Sequence, residues 1–183
     1  MSYITSSKLI QHCSFDYKPI TADIFLTNFC NNRCPYCTYG RWDLKSKSNA
    51  TYIHFEDFVK YANRLIELGV KGFILTGGGE PTINPDFEKI TNWLEEHKID
   101  YGINTNFNTL RLFKPNYLKV SLDAYDENSY KAYRGVNAYE KVRKNIIEYD
   151  KWRKENNAKT TLGIQMVASN VELINKFYYA NRD

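Results

Sequence analysis

The stretch that decides the fold runs from Gly72 to Pro81 and reads GFILTGGGEP. Its first four residues are typical of a short buried strand, and the three glycines let the backbone turn and approach a ligand closely. Asn84 and Pro85 then predict the N-cap and the first residue of a helix. The stretch therefore predicts a strand, a glycine-rich loop and a helix in succession.

The same pattern extends outward along the chain in both directions. Four further strands are predicted at residues 20–26, 99–103, 117–122 and 160–167, and amphipathic helices at 54–68, 126–134, from Tyr139 onward and at 171–179. Strands that alternate with helices predict βαβ units and a parallel sheet. We expect residues 1–19 to form an N-terminal extension and residues 20–183 to form one α/β core.

Length and composition exclude several classes of protein. The chain has 183 residues, of which 43% are apolar and 25% charged, as in a globular protein that buries a core. A closed barrel of eight units needs about 250 residues and does not fit. The net charge of +4 is interspersed and does not favour a nucleic-acid partner. No apolar run suits a membrane span or signal peptide, so we expect no membrane partner and a cytoplasmic location.

Three of the four cysteines lie on the loop after the first predicted strand, in the segment CNNRCPYC from Cys30 to Cys37. Three thiolates on one short loop can bind a single inorganic centre. A structural zinc ion needs four protein ligands, whereas an iron–sulfur cubane held by three cysteines leaves one iron open to a small molecule. No zinc-finger spacing links the cluster to a fourth ligand, for which the candidates are His12, Cys13, His54 and His97.

The cysteine loop resembles the C-x3-C-x2-C signature of the radical S-adenosylmethionine (SAM) superfamily, in which the residue before the third cysteine, here Tyr36, is usually aromatic. The segment from Gly77 to Pro81 is similar to the G-G-E-P motif of that family. The resemblance implies that the cysteines bind a [4Fe–4S] cluster and that Tyr36 and the glycine-rich loop bind SAM, with Glu80 shaping the loop. The residues so implied are Cys30, Cys34, Cys37, Tyr36, Gly77, Gly78, Gly79 and Glu80.

Two later segments carry the resemblance further. Ser121-Leu122-Asp123, with Arg134 and Gly135 downstream, resembles a family segment whose serine lies near the SAM ribose and whose arginine lies near the methionine carboxylate. Ser121 and Arg134 are therefore expected in the SAM site. Asn104-Thr105-Asn106 resembles a T-N-G segment, but Phe107 stands where the family usually has glycine.

The resemblance also implies an architecture and an activity. The family core is an open, partial (βα) barrel of six units, of which about five are visible here, so we expect a core that is short or truncated at its C-terminus. The implied enzyme uses a one-electron reductant, such as flavodoxin or ferredoxin, to cleave SAM into methionine and a 5′-deoxyadenosyl radical, which abstracts hydrogen from a substrate.

The sequence identifies neither the substrate nor a catalytic residue that acts on it. A peptide, a sugar or another small molecule would suit the family, and enzymes resembling the deazaguanine synthases or the glycyl-radical activating enzymes are further possibilities. Two alternatives to a working enzyme stay open. One is a zinc-stabilised α/β binding module without catalysis, and the other is a truncated, inactive radical SAM core.

Overall fold

A computed structural model describes residues 19–41 and 47–182, so residues 1–18 of the expected N-terminal extension, with His12 and Cys13, lie outside the described residues. Five strands form one sheet in the order β1-β2-β3-β4-β5, and every neighbouring pair is parallel. The strands are β1 Thr21–Phe25, β2 Gly72–Thr76, β3 Asp100–Thr105, β4 Tyr117–Ser121 and β5 Thr161–Gln165. The sheet is open rather than closed, which confirms the expectation of a partial α/β barrel.

Five helices connect and cover the strands: α1 Phe55–Glu67, α2 Phe87–Glu96, α3 Glu127–Arg134, α4 Tyr139–Glu155 and α5 Val171–Asn181. The connection from β3 to β4, residues 106–116, contains no helix. Helix α4 packs against this connection instead, because the Tyr149 ring lies 5.7 Å from the rings of both Phe107 and Phe113. The Tyr149 hydroxyl also donates a hydrogen bond to the Phe113 carbonyl at 2.9 Å.

The core lies between the central strands and the helices. Phe73 of β2, Ile103 of β3 and Val120 of β4 are fully buried. The ring of Phe58 on α1 meets Phe73 edge to face, at 6.2 Å between centroids, and joins the helix to the sheet. Burial of such side chains is worth about 1.5–3 kcal/mol each, so packing on the sheet rather than helix propensity holds these elements in place.

Helix α2 begins later than the sequence predicts. Its N-cap is Asp86 and its first residue is Phe87, so the prediction of Asn84 as N-cap and Pro85 as first helical residue is wrong. The Asn84 amide instead donates hydrogen bonds to the carbonyls of Leu26 at 2.7 Å and Ile53 at 3.0 Å. Asn84 thus ties the glycine-rich loop to the chain that leaves β1, which a local pattern does not reveal.

The C-terminal end of the described chain is less buried than its centre. Strand β5 lies at one edge of the sheet, and helix α5, which follows it, contains no fully buried side chain. Within the described part of the chain, no helix has the length and apolar character that a bilayer span requires.

Candidate functional site

A cavity of about 270 Å³ opens at the edge of the sheet where the parallel strands end. The loops after β1 and β2, the loop after β3 and the last residue of β4 all reach it, which is where parallel α/β proteins place their ligands. The structure brings every site residue expected from the sequence to this one cavity: Cys30, Cys34, Tyr36, Cys37, Gly77, Gly78, Gly79, Glu80, Ser121 and Arg134.

A second cavity, of about 330 Å³, lies between α4 and β5. Its wall is mostly aliphatic, with Leu122, Ile146 and Ile164, and it contains no cysteine. The three described cysteines therefore line the first cavity and not the second, although the first is the smaller of these two.

The cysteine loop is held by backbone hydrogen bonds to its two neighbours. The Glu80 N–H donates to the Phe29 carbonyl at 2.8 Å, which joins the loop to the segment after β2. The Arg33 N–H donates to the Arg134 carbonyl at 3.0 Å, which joins it to the end of α3. Gly135 has a φ of +73°, and a Cβ there would lie 2.3 Å from the Arg33 carbonyl oxygen. The sequence therefore needs glycine after Arg134 for the cysteine loop to pack on α3.

The glycine-rich loop approaches the cysteine loop too closely for a side chain. A Cβ on Gly79 would lie 2.1 Å from the Phe29 carbonyl oxygen and 2.6 Å from that of Thr27. Gly77 has a φ of +135°, a backbone conformation that side chains disfavour. The two loops can form one cavity wall only because these positions are glycine.

Glu80 stabilises the glycine-rich loop through buried hydrogen bonds. It is 2% exposed, and its carboxylate accepts hydrogen bonds from the Thr82 N–H and hydroxyl, from the Thr105 hydroxyl and from the Asn106 N–H. Burial raises the pKa of Glu80, and these hydrogen bonds oppose that rise. The carboxylate of Glu80 therefore links the loop after β2 to the end of β3.

The segment after β3 forms a network of asparagines beside Cys30. The Asn106 amide donates to the Asn31 side-chain oxygen at 2.7 Å, and its nitrogen lies 3.7 Å from Cys30 Sγ. The Asn32 N–H also donates to Cys30 Sγ, at 3.4 Å. The Asn32 and Asn108 side chains are buried and hydrogen-bonded to each other. Sequence reasoning missed this network, although a run of short polar residues after a strand was a usable signal.

Phe107, which follows, has a φ of +56° and is fully buried. This left-handed backbone explains the glycine that the resemblance leads one to expect at the position. Its ring contacts Tyr149 of α4, and the Asn145 amide donates to its carbonyl at 2.8 Å. The loop therefore adopts a left-handed conformation at this position with a phenylalanine in place of glycine.

Tyr36, Asp123 and Arg134 form a polar triad at the other side of the cavity, in which Asp123 and Arg134 are buried and Tyr36 is 44% exposed. The Tyr36 hydroxyl donates to Asp123 Oδ2 at 2.7 Å, and Arg134 Nη1 donates to the same oxygen at 2.7 Å and to the Tyr36 hydroxyl at 3.0 Å. Asp123 Oδ1 accepts from the Val167 N–H at 2.6 Å. Asp123 thus joins the cysteine loop, α3 and the chain after β5.

The surroundings raise the pKa values of two members of this triad, Tyr36 and Arg134. Burial raises the pKa of Tyr36 well above its usual value, so the phenol keeps its proton. Burial lowers the pKa of Arg134, but Cys34, Tyr36 and Asp123 outweigh that effect and leave it raised. The guanidinium therefore remains charged. Arg134 Nε is buried without a hydrogen-bond partner in the described structure.

Ser121 ends β4, lines the cavity and pairs in register with Gln165 of β5. Gln165 and Val167, at and just after the end of β5, are not among the residues that line this cavity. His54 and His97, two candidates for a fourth zinc ligand, are engaged elsewhere: His54 Nδ1 lies 3.5 Å from Asp86 Oδ2, and His97 Nδ1 lies 2.8 Å from the Trp93 carbonyl oxygen.

The donor set of the cavity fits an iron–sulfur cluster. A cubane takes one cysteine for each of three irons, so the sulfurs must surround a centre rather than meet at one point. A structural zinc ion needs four convergent ligands, and no group of three His, Cys, Asp or Glu in the described ranges is arranged to hold one ion. N–H donors beside Cys30 and the charge of Arg134 suit the net negative charge of thiolates.

Comparison with known proteins extends the resemblance beyond motifs. A family model described as the Radical SAM superfamily matches residues 24–164, which lie inside the expected core of residues 20–183. A probable GTP 3′,8-cyclase of Pyrococcus horikoshii is 33% identical over 137 residues, covering 70% of this chain and 43% of that protein. A Methanocaldococcus jannaschii protein, named as a glycyl-radical enzyme activating enzyme, is 28% identical over 172 residues, covering 90% and 62%.

Solved structures share the fold. Streptococcus suis SuiB bound to S-adenosylmethionine matches with a TM-score of 0.69 at 19% identity, over 88% of this chain and 37% of that one. TYW1 with a lysine-pyruvate adduct bound matches with a TM-score of 0.61 at 18% identity, over 90% and 59%. The chain spans less than half the length of the GTP 3′,8-cyclase relatives that it matches.

Proposed function

The chain belongs to the radical SAM superfamily, whose members use a [4Fe–4S] cluster and SAM, and from this premise we propose that it binds both in the cysteine-lined cavity and starts a hydrogen abstraction there. One observation carries the proposal. Cys30, Cys34 and Cys37 share a single cavity wall with the glycine-rich loop and Arg134, which are the groups expected to hold SAM. When bound, the cluster and SAM supply one-electron reductive cleavage of the SAM sulfonium.

The residues of this chain bind, orient and shield. The three cysteines ligate the cluster, and the glycine-rich loop brings backbone close to the methionine part of SAM, since no side chain intervenes. Arg134, which lines the cavity, pairs with the methionine carboxylate, while Asp123 keeps the guanidinium in place. Ser121 lies at the ribose side, and Tyr36 places the cysteine-loop backbone against the adenine.

The relatives of this chain do not point to one substrate. The relatives include proteins named for a GTP cyclisation and one named for activation of glycyl-radical enzymes, and these substrates differ in kind. What they share is a hydrogen abstraction that begins with a one-electron donor, and a flavodoxin or ferredoxin would suit that role. The proposal for this chain is therefore hydrogen abstraction from a substrate.

Metal and sulfide content of the anaerobically purified protein tests the proposal. We expect about four irons and four sulfides per chain, the content of one cubane. Cys34→Ala should lose most of the iron while its far-UV circular dichroism stays close to that of the parent chain. His97→Ala, which changes a potential zinc ligand outside the cavity, is the matched control and should keep its iron. Stoichiometric zinc without sulfide in the parent protein would contradict the proposal and favour the zinc-stabilised binding module.

A further inference from the structure

Asn106 is the side chain through which the end of β3 contacts a thiol of the cysteine loop. It is 3% exposed, and Cys30 is 8% exposed, so water has little access to either group. The amide nitrogen Nδ2 carries two hydrogens. It lies 2.7 Å from the Asn31 side-chain oxygen and 3.7 Å from Cys30 Sγ, so each hydrogen has one acceptor.

The orientation of this amide is fixed by one group that can only donate, the Asn108 N–H. Asn106 Oδ1 accepts a hydrogen bond from the Asn108 N–H at 2.9 Å. Because a backbone N–H cannot accept, the oxygen of the amide must face Asn108 and the NH2 group must face Cys30. The Asn106 N–H donates to Glu80 Oε2 at 2.7 Å, which anchors the backbone of the same residue. Hydrogen bonds to the side-chain oxygen and from the backbone N–H of Asn106 therefore hold its NH2 group towards the sulfur.

A fixed N–H donor beside a cysteine sulfur changes the energy of a bound iron–sulfur centre. One-electron reduction adds a negative charge to the centre and its thiolates without making or breaking a bond in the protein or moving a proton. A donor stabilises the more negative state, and it does so more strongly where water is excluded. Potentials of such clusters respond to hydrogen bonds to their sulfurs for this reason.

We propose that Asn106 raises the reduction potential of the cluster in this chain by donating a hydrogen bond to Cys30 Sγ. The inference rests on the proposed function, because it requires the cluster. Asn106 lines the same cavity as the cysteines and acts on the cluster through Cys30 Sγ, 3.7 Å from its amide nitrogen. The Asn32 N–H supplies a second donor to the same sulfur, so replacement of Asn106 removes part of the effect and leaves the cluster its ligands.

The test is a redox titration of the anaerobic protein with dithionite, followed by the electron paramagnetic resonance signal of the reduced cluster. Asn106→Leu removes both N–H groups of the side-chain amide and keeps a similar side-chain size. Asn106→Asp keeps an oxygen that accepts from the Asn108 N–H and so preserves the loop, but removes the donor. Asn145→Leu is the matched control, because Asn145 is also a buried amide that holds this loop and does not contact a cysteine.

We expect both Asn106 variants to be harder to reduce, with a reduced-to-oxidised ratio roughly tenfold lower at a fixed potential, which is about 59 mV for one electron. The cluster of Asn145→Leu should have the same reduction potential as that of the parent protein. Unchanged potentials in Asn106 variants that retain iron would overturn the inference. Loss of the cluster from both, with Asn145→Leu retaining it, would also overturn it, since Asn106 would then serve retention rather than potential. Absence of iron and sulfide from the parent protein would instead remove the proposed function.

Discussion

Asp123 holds three parts of the site at once, and its backbone is unusual. Its φ is +55°, in the left-handed region that asparagine and aspartate tolerate best among residues with side chains. Its carboxylate is 2.7 Å from Arg134 Nη1, and both side chains are almost completely buried. Removing one partner of a buried ion pair leaves the other charge uncompensated, which costs about 3–5 kcal/mol. Asp123 therefore contributes both to the stability of the fold and to the orientation of the Arg134 guanidinium.

Asp123→Asn isolates the charge, because asparagine has the same size and the same tolerance of a left-handed backbone. We expect the free energy of unfolding in urea to fall by about 3 kcal/mol, since Arg134 stays buried without its counter-ion. Equilibrium dialysis should show roughly tenfold weaker SAM binding at unchanged iron content.

The control for this variant is Glu88→Gln, which breaks the exposed ion pair of Glu88 with Arg111 at 2.8 Å. An exposed pair contributes at most about 1 kcal/mol. Equal losses of stability in the two variants would show that the buried Asp123–Arg134 pair contributes no more to the free energy of unfolding than the exposed pair does.

Single residues also show where sequence reasoning succeeded and where it stopped. The motifs placed all ten expected residues at one cavity, because the ends of parallel strands meet at one edge of a sheet. They did not identify Asn106 as a contact of Cys30, since that contact joins residues 76 positions apart. At Phe107 the sequence showed a departure from glycine. The structure supplies the reason that it is tolerated: burial of a phenylalanine, worth about 1.5–3 kcal/mol, offsets left-handed strain of about 1–2 kcal/mol.

Among the elements, the glycine-rich loop constrains the cavity most directly. Gly79 packs against the backbone of the cysteine loop, and a backbone carbonyl cannot rotate away as a long side chain can. Gly163 in the edge strand β5 is a natural comparison, because a Cβ there would meet nothing within 4 Å. Alanine at either position adds one methyl group, but only at Gly79 would that group collide with neighbouring backbone.

We expect Gly79→Ala to lower the free energy of unfolding by at least about 2 kcal/mol and to lower iron content, because the cysteine loop must shift. Gly163→Ala should leave iron content unchanged and stability equal or higher by about 0.5–1 kcal/mol, since alanine loses less backbone entropy. Chemical denaturation and iron analysis measure both quantities. If Gly79→Ala behaved like Gly163→Ala, the close packing of the two loops would be refuted.

Element boundaries followed from the sequence where local signals decide them. Asp126 caps α3 with a complete capping box, and the predicted start at that residue is confirmed. Strand β3 instead continues through Thr105, two residues beyond its predicted end, where Thr105 pairs in register with Val120 of β4. That boundary depends on a neighbouring strand rather than on its own sequence.

Over the whole molecule, burial falls from the central strands towards β5 and α5. Strands β2 and β3 are covered by helices, whereas Val171 and Tyr179 of α5 are 69% and 65% exposed. Local opening costs little where few apolar side chains are buried. The two regions should therefore open at different free energies in one protein.

Hydrogen–deuterium exchange measured by mass spectrometry checks this difference. Peptides covering α5 should exchange through local opening, well before peptides covering β2 and β3, which should exchange only on global unfolding. The matched comparison is α4, another helix of the same half, which buries Val142 and Tyr149 and should be protected longer than α5. Equal protection of α5 and β2 would contradict this description of the molecule.

The most direct test of the central claim is formation of 5′-deoxyadenosine from SAM by the anaerobically reduced protein. The cavity assigns the cysteines to the cluster and the glycine-rich loop and Arg134 to SAM, so the parent protein should form 5′-deoxyadenosine and Cys34→Ala should form none. A parent protein that contains about four irons and four sulfides per chain, is fully reduced and yet leaves SAM intact would contradict the claim.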